Sequence, residues 1–245
     1  MDELKMLENI LVANGIPSFD EKIISKLVTF FHLVIEKNKV MNLTAITDFT
    51  DFSVKHFADS LSLFKIFKLD SGKVIDVGTG AGFPGIPLAI CCPDVSFTLL
   101  DSLKKRVSFL SDVTHELGLN NVTLIHGRAE EAGRTESLRD SFDLSVSRAV
   151  AGLSTLVEYT LPFVKPFGTF VAYKGPNSVS EIAEASNALK VFSARVDHVH
   201  SFELNNGDSN NEEGKSTRTL LFISKEKATP KGYPRSSAKI MKSPL

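Results

Sequence analysis

Apolar residues recur every three or four positions through the first seventy residues, and then give way to short apolar runs separated by helical stretches. Leu4, Leu7, Ile10 and Leu11 keep helical spacing and stop before Gly15, which predicts a first helix closed by glycine. Ser18-Phe19-Asp20-Glu21 has the form of a capping box. Behind it, Ile23, Ile24, Leu27, Val28, Phe31, Val34 and Ile35 make the broad apolar face of a second helix. After the loop Met41 to Asp48, a third helix is predicted over 50–68, with Phe52, Phe57, Leu61, Phe64 and Phe67 turned inward. Residues 1–70 therefore read as a helical cap.

From Lys73 the pattern alternates strands with helices, which predicts a parallel sheet with crossover helices over 71–224. Strands are expected at 74–77, 95–100, 122–126, 142–147, 169–173, 191–204 and 217–224. Helices are expected after the glycine turn that follows the first strand, at 103–117 ending on Gly118, at 153–163 stopped near Pro166, and at 178–190. The polar stretch 205–216 is too short for a crossover helix and reads as a hairpin loop, so the last two strands should be antiparallel. The tail, 225–245, sets Lys225, Lys227, Lys231, Arg235, Lys239 and Lys242 against the single acid Glu226. Pro230, Pro234 and Pro244 predict that it lies extended over the surface, as a basic arm or a merely solvated end.

Composition narrows the class without naming a ligand. A chain of 245 residues, 42% hydrophobic and 23% charged, fits one large globular domain with appendages. Its formal net charge of −1 gives no overall attraction to nucleic acid, so any RNA contact must come from local basic patches. Cys91 and Cys92 are adjacent, read as buried spacers, and point to a reducing compartment. The start lacks the basic and apolar regions of a signal peptide and no apolar run is long enough to cross a bilayer, so a cytoplasmic protein is expected. The histidines and acids show no metal-ligand spacing, so no metal is expected.

The chemistry gathers at Val74-Ile75-Asp76-Val77-Gly78-Thr79-Gly80-Ala81-Gly82-Phe83-Pro84-Gly85, a strand entering a glycine-rich turn. Gly80 to Gly85 fits G-x-G-x-x-G, the turn of a dinucleotide site. Asp76, inside the strand end, favours instead a cofactor carrying sulfonium and ammonium groups, because a pyrophosphate beside a carboxylate would be repelled. Pro84 and Pro87 also remove backbone donors that a phosphate would use. A turn whose glycines serve only packing is the third reading.

Asp-x-Gly-x-Gly, followed by a strand ending in Asp101, resembles the class I methyltransferases. That resemblance implies a Rossmann-like α/β fold with a seven-strand, mostly parallel sheet and one reversed strand at the end. Ligands of such sheets lie beyond the carboxyl ends of the strands, which selects Asp76, Gly78, Gly80, Asp101, Glu130 and Arg148. Asp101 is placed to accept from two ribose hydroxyls, or to cap the following helix. Arg148, at an otherwise apolar strand end, needs an anionic partner. Neither an Asn-Pro-Pro cradle nor a cysteine nucleophile stands beside it, which is compatible with a ring nitrogen that brings its own lone pair. His56, Asp59 and Ser60 share neighbouring helical positions, and Lys174 ends the fifth strand where a phosphate could meet it.

Met41-Asn42-Leu43-Thr44-Ala45, Lys55-His56-Phe57-Ala58-Asp59-Ser60-Leu61, Ile75 to Pro87, Thr98 to Leu103 with Lys105-Arg106, Ser147-Arg148-Ala149 and Tyr173-Lys174-Gly175 together resemble the bacterial ribosomal RNA small subunit methyltransferase G family. The resemblance spans nearly the whole chain. It implies methylation of guanine N7 in a loop of 16S ribosomal RNA, with S-adenosylmethionine as donor and the RNA or small ribosomal subunit as partner. It carries cofactor contacts onto Gly78, Phe83, Ala129, Glu130 and Arg148. RNA contacts are expected at His56, Lys174, Lys231 and Arg235, and a monomer is expected. The tail opens like the family's basic end, Thr229 to Arg235, then departs at Ala238, Ile240 and Met241. An oxidoreductase on the same turn and a non-catalytic RNA-binding module are the rival readings.

Overall fold

A computed structural model describes residues 2–148, 151–176, 178–205 and 216–245. Its centre is one seven-stranded sheet in the order β3-β2-β1-β4-β5-β7-β6. The strands are β1 (Lys73–Val77), β2 (Ser96–Asp101), β3 (Val122–His126), β4 (Phe142–Arg148), β5 (Val164–Lys174), β6 (Ala194–Leu204) and β7 (Ser216–Lys225). Pairings from β3 through β5 are parallel, whereas β7 runs antiparallel to both β5 and β6. The reversed strand is thus last in sequence, as expected, yet sits inside the sheet with β6 as its edge. Of the expected hairpin loop, residues 206–215 lie outside the described residues, as does Ala149.

Strand β5 starts earlier than its apolar run, because its register with β4 slips between Val164 and Thr169. Pro166 cannot donate to a ladder and sits in that irregularity beside Phe167, which has φ +66° and is 87% exposed. The helix expected at 178–190 is two, α9 (Ser178–Glu184) and α10 (Ser186–Val191), broken at the buried Ala185. These join α8 (Leu153–Thr160) on one face of the sheet, where Leu156, Val157, Phe170, Leu189 and Ile223 share a core.

The other face is covered by α5 (Gly85–Cys91), α6 (Lys104–Glu116) and the N-terminal cap. In the cap, α1 (Glu3–Ala13) and α2 (Glu21–Met41) bury Leu7, Leu11, Leu27, Phe30 and Val34 in the same cluster as Val74, Phe97 and Leu99 of the sheet. Cap and sheet therefore share one core. Helix α2 is capped by Asp20, which accepts from the Ile23 amide, so the cap falls two residues after the expected Ser18. Its far end turns at Asn42 with φ 49°, and Asn38 Oδ1 accepts from the Leu43 and Thr44 amides at 2.6 and 2.9 Å.

The single helix expected over 50–68 is corrected to four pieces: α3 (Phe49–Phe52), a π turn (Ser53–Ala58), α4 (Asp59–Leu61) and a 3-10 turn (Ser62–Lys65). Phe52, Phe57 and Leu61 are buried as expected, while Phe64 and Phe67 are only partly so. Wide turns of this kind re-aim side chains and recur at functional sites. This one carries Lys55 and His56.

The tail also departs from expectation, since it is tied down and contains α11 (Ser237–Lys242). Lys225, counted among the basic arm, is wholly buried at the end of β7. Its ammonium donates to the Leu161 and Val164 carbonyls, to Thr229 Oγ1 and to Asp140. Arg139 donates to the carbonyls of Thr229, Pro230 and Tyr233, and Arg134 to that of Pro234. A charge count along the tail cannot see these internal acceptors.

Candidate functional site

The turn after β1 is held from beneath by Asp76. Its carboxyl group is fully buried, and Oδ2 accepts from Thr79 Oγ1 at 2.7 Å and from the Gly85 amide at 2.9 Å. Burial pushes the group up to about 6, against the pull of the Thr79 and Gly85 hydrogen bonds and of Arg148. Asp76 is therefore a strut under the turn and not a lining group of the cavity above it, and its Oδ1 has no partner among the described residues.

Gly78, at φ +75°, turns the chain out of the strand while its amide and that of Thr79 donate to the Leu100 carbonyl. A Cβ on Gly85 would lie 2.3 Å from Leu99 Cδ2 and 2.8 Å from Asp76 Oδ2, so glycine here is demanded by strand-to-helix packing. Gly85→Ala should lower the urea midpoint by the equivalent of about 1–3 kcal/mol, the usual cost of overpacking. An unchanged midpoint would mean that helix α5 can retreat from the sheet freely.

Asp101 ends β2 and is 4% exposed. Its Oδ2 accepts from the Gly80 amide at 2.9 Å and its Oδ1 from the Leu103 amide at 2.8 Å, so it links the glycine turn to the start of α6. Asp101 is not itself the cap of α6, whose N-cap is Leu103 with no side-chain bond; it braces the turn that leads into the helix. Arg106 Nη1 stands 3.5 Å from the same carboxylate.

Over this turn lies a cavity of about 340 Å³ whose wall includes Gly78, Asp101, Arg106, Ala129, Glu130 and Tyr159. Ala129 and Glu130 open the short helix α7 (Ala129–Ala132), and Glu130 is 7% exposed with Arg128 Nη1 4.0 Å away. Four expected cofactor residues, Gly78, Asp101, Ala129 and Glu130, thus meet on one wall. Asp76, Gly80, Phe83 and Arg148 do not line it. Arg106 and Tyr159 do, and only Arg106 stood in a stretch the sequence singled out.

Phe83 is instead a core ring. Its centroid is 5.2 Å from Phe30, 5.7 Å from Phe52 and 4.6 Å from His56, on which it stacks. The Arg148 guanidinium lies 5.1 Å from the same ring. Arg148 has the anionic partner its position demanded: Nη1 donates to Asp59 Oδ2 at 2.8 Å and to the Lys55 carbonyl at 3.1 Å. Its Nη2 donates to His56 Nδ1 at 3.1 Å, so that nitrogen is the acceptor and Nε2–H donates to Thr44 Oγ1 at 2.9 Å. Burial, then Arg148, then Lys55 pull His56 down to about 3, so the imidazole is neutral.

These groups line a second pocket of about 390 Å³, with Lys55, His56, Asp59, Arg148, Lys174 and Arg218 on its wall. Arg218 Nε stands 3.6 Å from Asp59 Oδ1. Lys174 reaches the pocket, but its ammonium donates to Glu181 Oε2 and to the Ala151 carbonyl, at 2.7 and 2.8 Å. The first pocket is lined by the end of β1 and the second by the end of the neighbouring β4, and between these strands Ser147 Oγ donates to the Val77 carbonyl at 2.7 Å. Of the two tail residues expected to meet RNA, Lys231 is exposed, whereas Arg235 is spent on Glu158. Burial lifts Cys91 well above the ordinary thiol range and Cys92 to about 12, which disfavours the thiolate at both, and neither lines the glycine-turn cavity or the arginine pocket.

No helix among the described residues is long and apolar enough to cross a membrane, and those residues hold no cluster of metal-ligating side chains.

Among solved structures, the chain is similar to a precorrin-6y C5,15-methyltransferase from Geobacter metallireducens, with a TM-score of 0.50 at 16% identity over 76% of this chain and 92% of that one. It is also similar to the YcgJ protein of Bacillus, with a TM-score of 0.51 at 15% identity over 70% of this chain and 99% of that one. Both speak to the fold: a Rossmann-like sheet of the class I methyltransferase type. In sequence it is 46% identical over 227 residues to the ribosomal RNA small subunit methyltransferase G of Alkaliphilus metalliredigens, covering 92% of each chain. It is 42% identical over 228 residues to the protein of the same name from Clostridium perfringens, covering 93% of this chain and 92% of that one. The family's own sequence profile, described as rRNA small subunit methyltransferase G, matches residues 23–210. With a profile match over residues 23–210 and relatives 42–46% identical over nine-tenths of its length, the chain belongs to the rRNA small subunit methyltransferase G (GidB) family.

Proposed function

We propose that this chain methylates guanine N7 in a loop of 16S ribosomal RNA with S-adenosylmethionine as donor. The observation that carries the reading is a pair of pockets at the carboxyl ends of the parallel strands, one lined by the ends of β1 and β2 and the other by those of β4 and β5, on either side of the switch point between β1 and β4. S-adenosylmethionine supplies an electrophilic methyl group on a sulfonium. The residues present fit it: Asp101 offers a buried carboxylate to a ribose diol, Ala129 and Glu130 flank the space for a purine, and Gly78 leaves the turn free of a Cβ. Asp76, ionised above a pH of about 6, adds a negative charge beneath the turn that suits a cation better than a pyrophosphate. That argument, with the family membership, sets the dinucleotide reading aside.

The second pocket is the proposed seat of the target base. Guanine N7 brings its own lone pair and loses no proton, so the chain must align the base and need not supply a general base. His56 is suited to that and to nothing more, being neutral and hydrogen-bonded at both nitrogens. Asp59 and His56 hold Arg148 beside Phe83 on the wall of this pocket, where it can meet the base. Lys55 and Arg218 are the pocket cations best placed for a phosphate, with Lys231 further out on the tail. A monomer acting in the cytoplasm on ribosomal RNA or the small subunit completes the proposal.

The test is methyl transfer from labelled S-adenosylmethionine to ribosomal RNA purified from cells lacking this gene. Label should enter one guanine, which should then become cleavable by borohydride and aniline, the signature of N7 methylation. Label in another base, or none in RNA, would overturn the proposal.

A further inference from the structure

Strand β6 is a free edge of the sheet, and one of its faces carries His198, His200 and Phe202 in a row. Their rings are nearly parallel, with centroids 6.2 and 5.6 Å apart and interplanar angles of 20° and 25°. His198 is exposed, and His200 and Phe202 are half-buried. Lys65 lies 4.3 Å above the Phe202 ring. The cross-strand neighbour of Phe202 is Arg218, the residue that reaches Asp59 in the basic pocket. The row of rings thus begins at the pocket wall and leads away from it along the sheet.

A ladder of rings on alternate residues can support an edge strand unaided. This one is distinguished by what borders it. Cations stand at its pocket end, and His200 is held below its ordinary value by burial, then by Lys65 and His198. Stacked rings beside cations form the kind of surface on which unstacked bases lie while arginine and lysine meet the phosphates, with little regard to sequence. The proposed reaction favours a partner of this chemistry, because a guanine enters a pocket at least cost from an unpaired stretch.

We infer that His198, His200 and Phe202, together with Arg218 and Lys65, form a track for the unpaired nucleotides that flank the target base. The inference rests on the RNA reading above. Its probe is a fluorescein-labelled single-stranded RNA carrying the target loop, compared with a fully paired duplex of the same sequence. In the full chain, the double variant H198A/H200A should raise the Kd for the single strand about five- to fiftyfold, following the cost of losing base–ring stacking. It should leave duplex binding and S-adenosylhomocysteine affinity unchanged, and H198F/H200F should restore the single-strand Kd. Equal single-strand affinity in wild type and H198A/H200A would overturn the track while leaving methyl transfer intact. Wild-type protein that transfers no methyl to ribosomal RNA would instead overturn the reading on which the track stands. Should H198A/H200A melt early, crosslinking of 4-thiouridine RNA to the wild-type chain decides: adducts within residues 196–204 support the track, and adducts confined elsewhere overturn it.

Discussion

Asp101→Ala is expected to raise the Kd for S-adenosylhomocysteine at least about a hundredfold by calorimetry. Two hydroxyl hydrogen bonds to a carboxylate contribute about 1.5–3 kcal/mol each, and each 1.4 kcal/mol is about a factor of ten. The substitution also strips the Gly80 and Leu103 amides of their acceptor, so the turn loses its tie to α6. Asp101→Asn separates the two effects, because the amide oxygen can keep one of those backbone bonds while the charge is gone. An affinity in Asp101→Asn as poor as that of the alanine variant would assign most of the loss to the carboxylate, and one near wild type would assign it to the backbone ties. Unchanged affinity in Asp101→Ala would remove the ribose assignment altogether.

Much of this architecture was legible in the sequence because it is written in local pattern. The apolar runs of β1 to β4, the glycine that ends α6 and the acids at the ends of β1 and β2 all follow from short-range rules, and the structure keeps them within a residue or two. The cavity wall of Gly78, Asp101, Ala129 and Glu130 follows as well, since residues at the carboxyl ends of parallel strands must converge. What stayed hidden depends on contacts between distant parts of the chain. Tyr159 and Arg218 carry no local signal, and each gains its place only when α8 or β7 packs beside a pocket. The π turn was hidden by an apolar pattern that suits an ordinary helix equally well, although it re-aims Lys55 and His56. Arg148 was legible as a strand-end arginine in need of a partner, and Phe83 came only from the resemblance, but their neighbours are the cap and its Asp59, not the cavity above the glycine turn.

The same limit explains how the chain carries a basic pocket on a formal net charge of −1. Lys55, Arg148, Lys174 and Arg218 come from four separate segments and meet around one carboxylate, Asp59. Glu181 then neutralises the buried Lys174, whereas Lys55, paired with Asp51 at 2.9 Å, and Arg218 keep 37% and 28% of their side chains exposed and are the cations more open to an incoming phosphate. Average composition registers none of this, because attraction to a nucleic acid depends on where charges converge.

Arg235→Ala is expected to act on stability and not on RNA affinity, reversing what a basic tail implies. Arg235 donates through Nε and Nη2 to both oxygens of Glu158, at 2.6–3.1 Å, and its own amide donates to Oε1 at 2.7 Å. Glu158 lies on α8, beside the cavity residue Tyr159, and its side chain is fully buried. Removing the guanidinium leaves that carboxylate with a single backbone donor. Breaking a buried pair from one side costs about 3–5 kcal/mol, and because Arg235 is itself 21% exposed, about 2–4 kcal/mol is the figure to expect. The melting temperature should fall by several degrees, and Glu158→Gln should recover part of the loss in the Arg235→Ala background by removing the unpaired charge. Below that transition, the salt dependence of RNA binding should match wild type, since no phosphate contact has been lost. A shallower salt slope with an unchanged melting temperature would return Arg235 to the RNA surface, and would mean that the tail leaves α8 when RNA arrives.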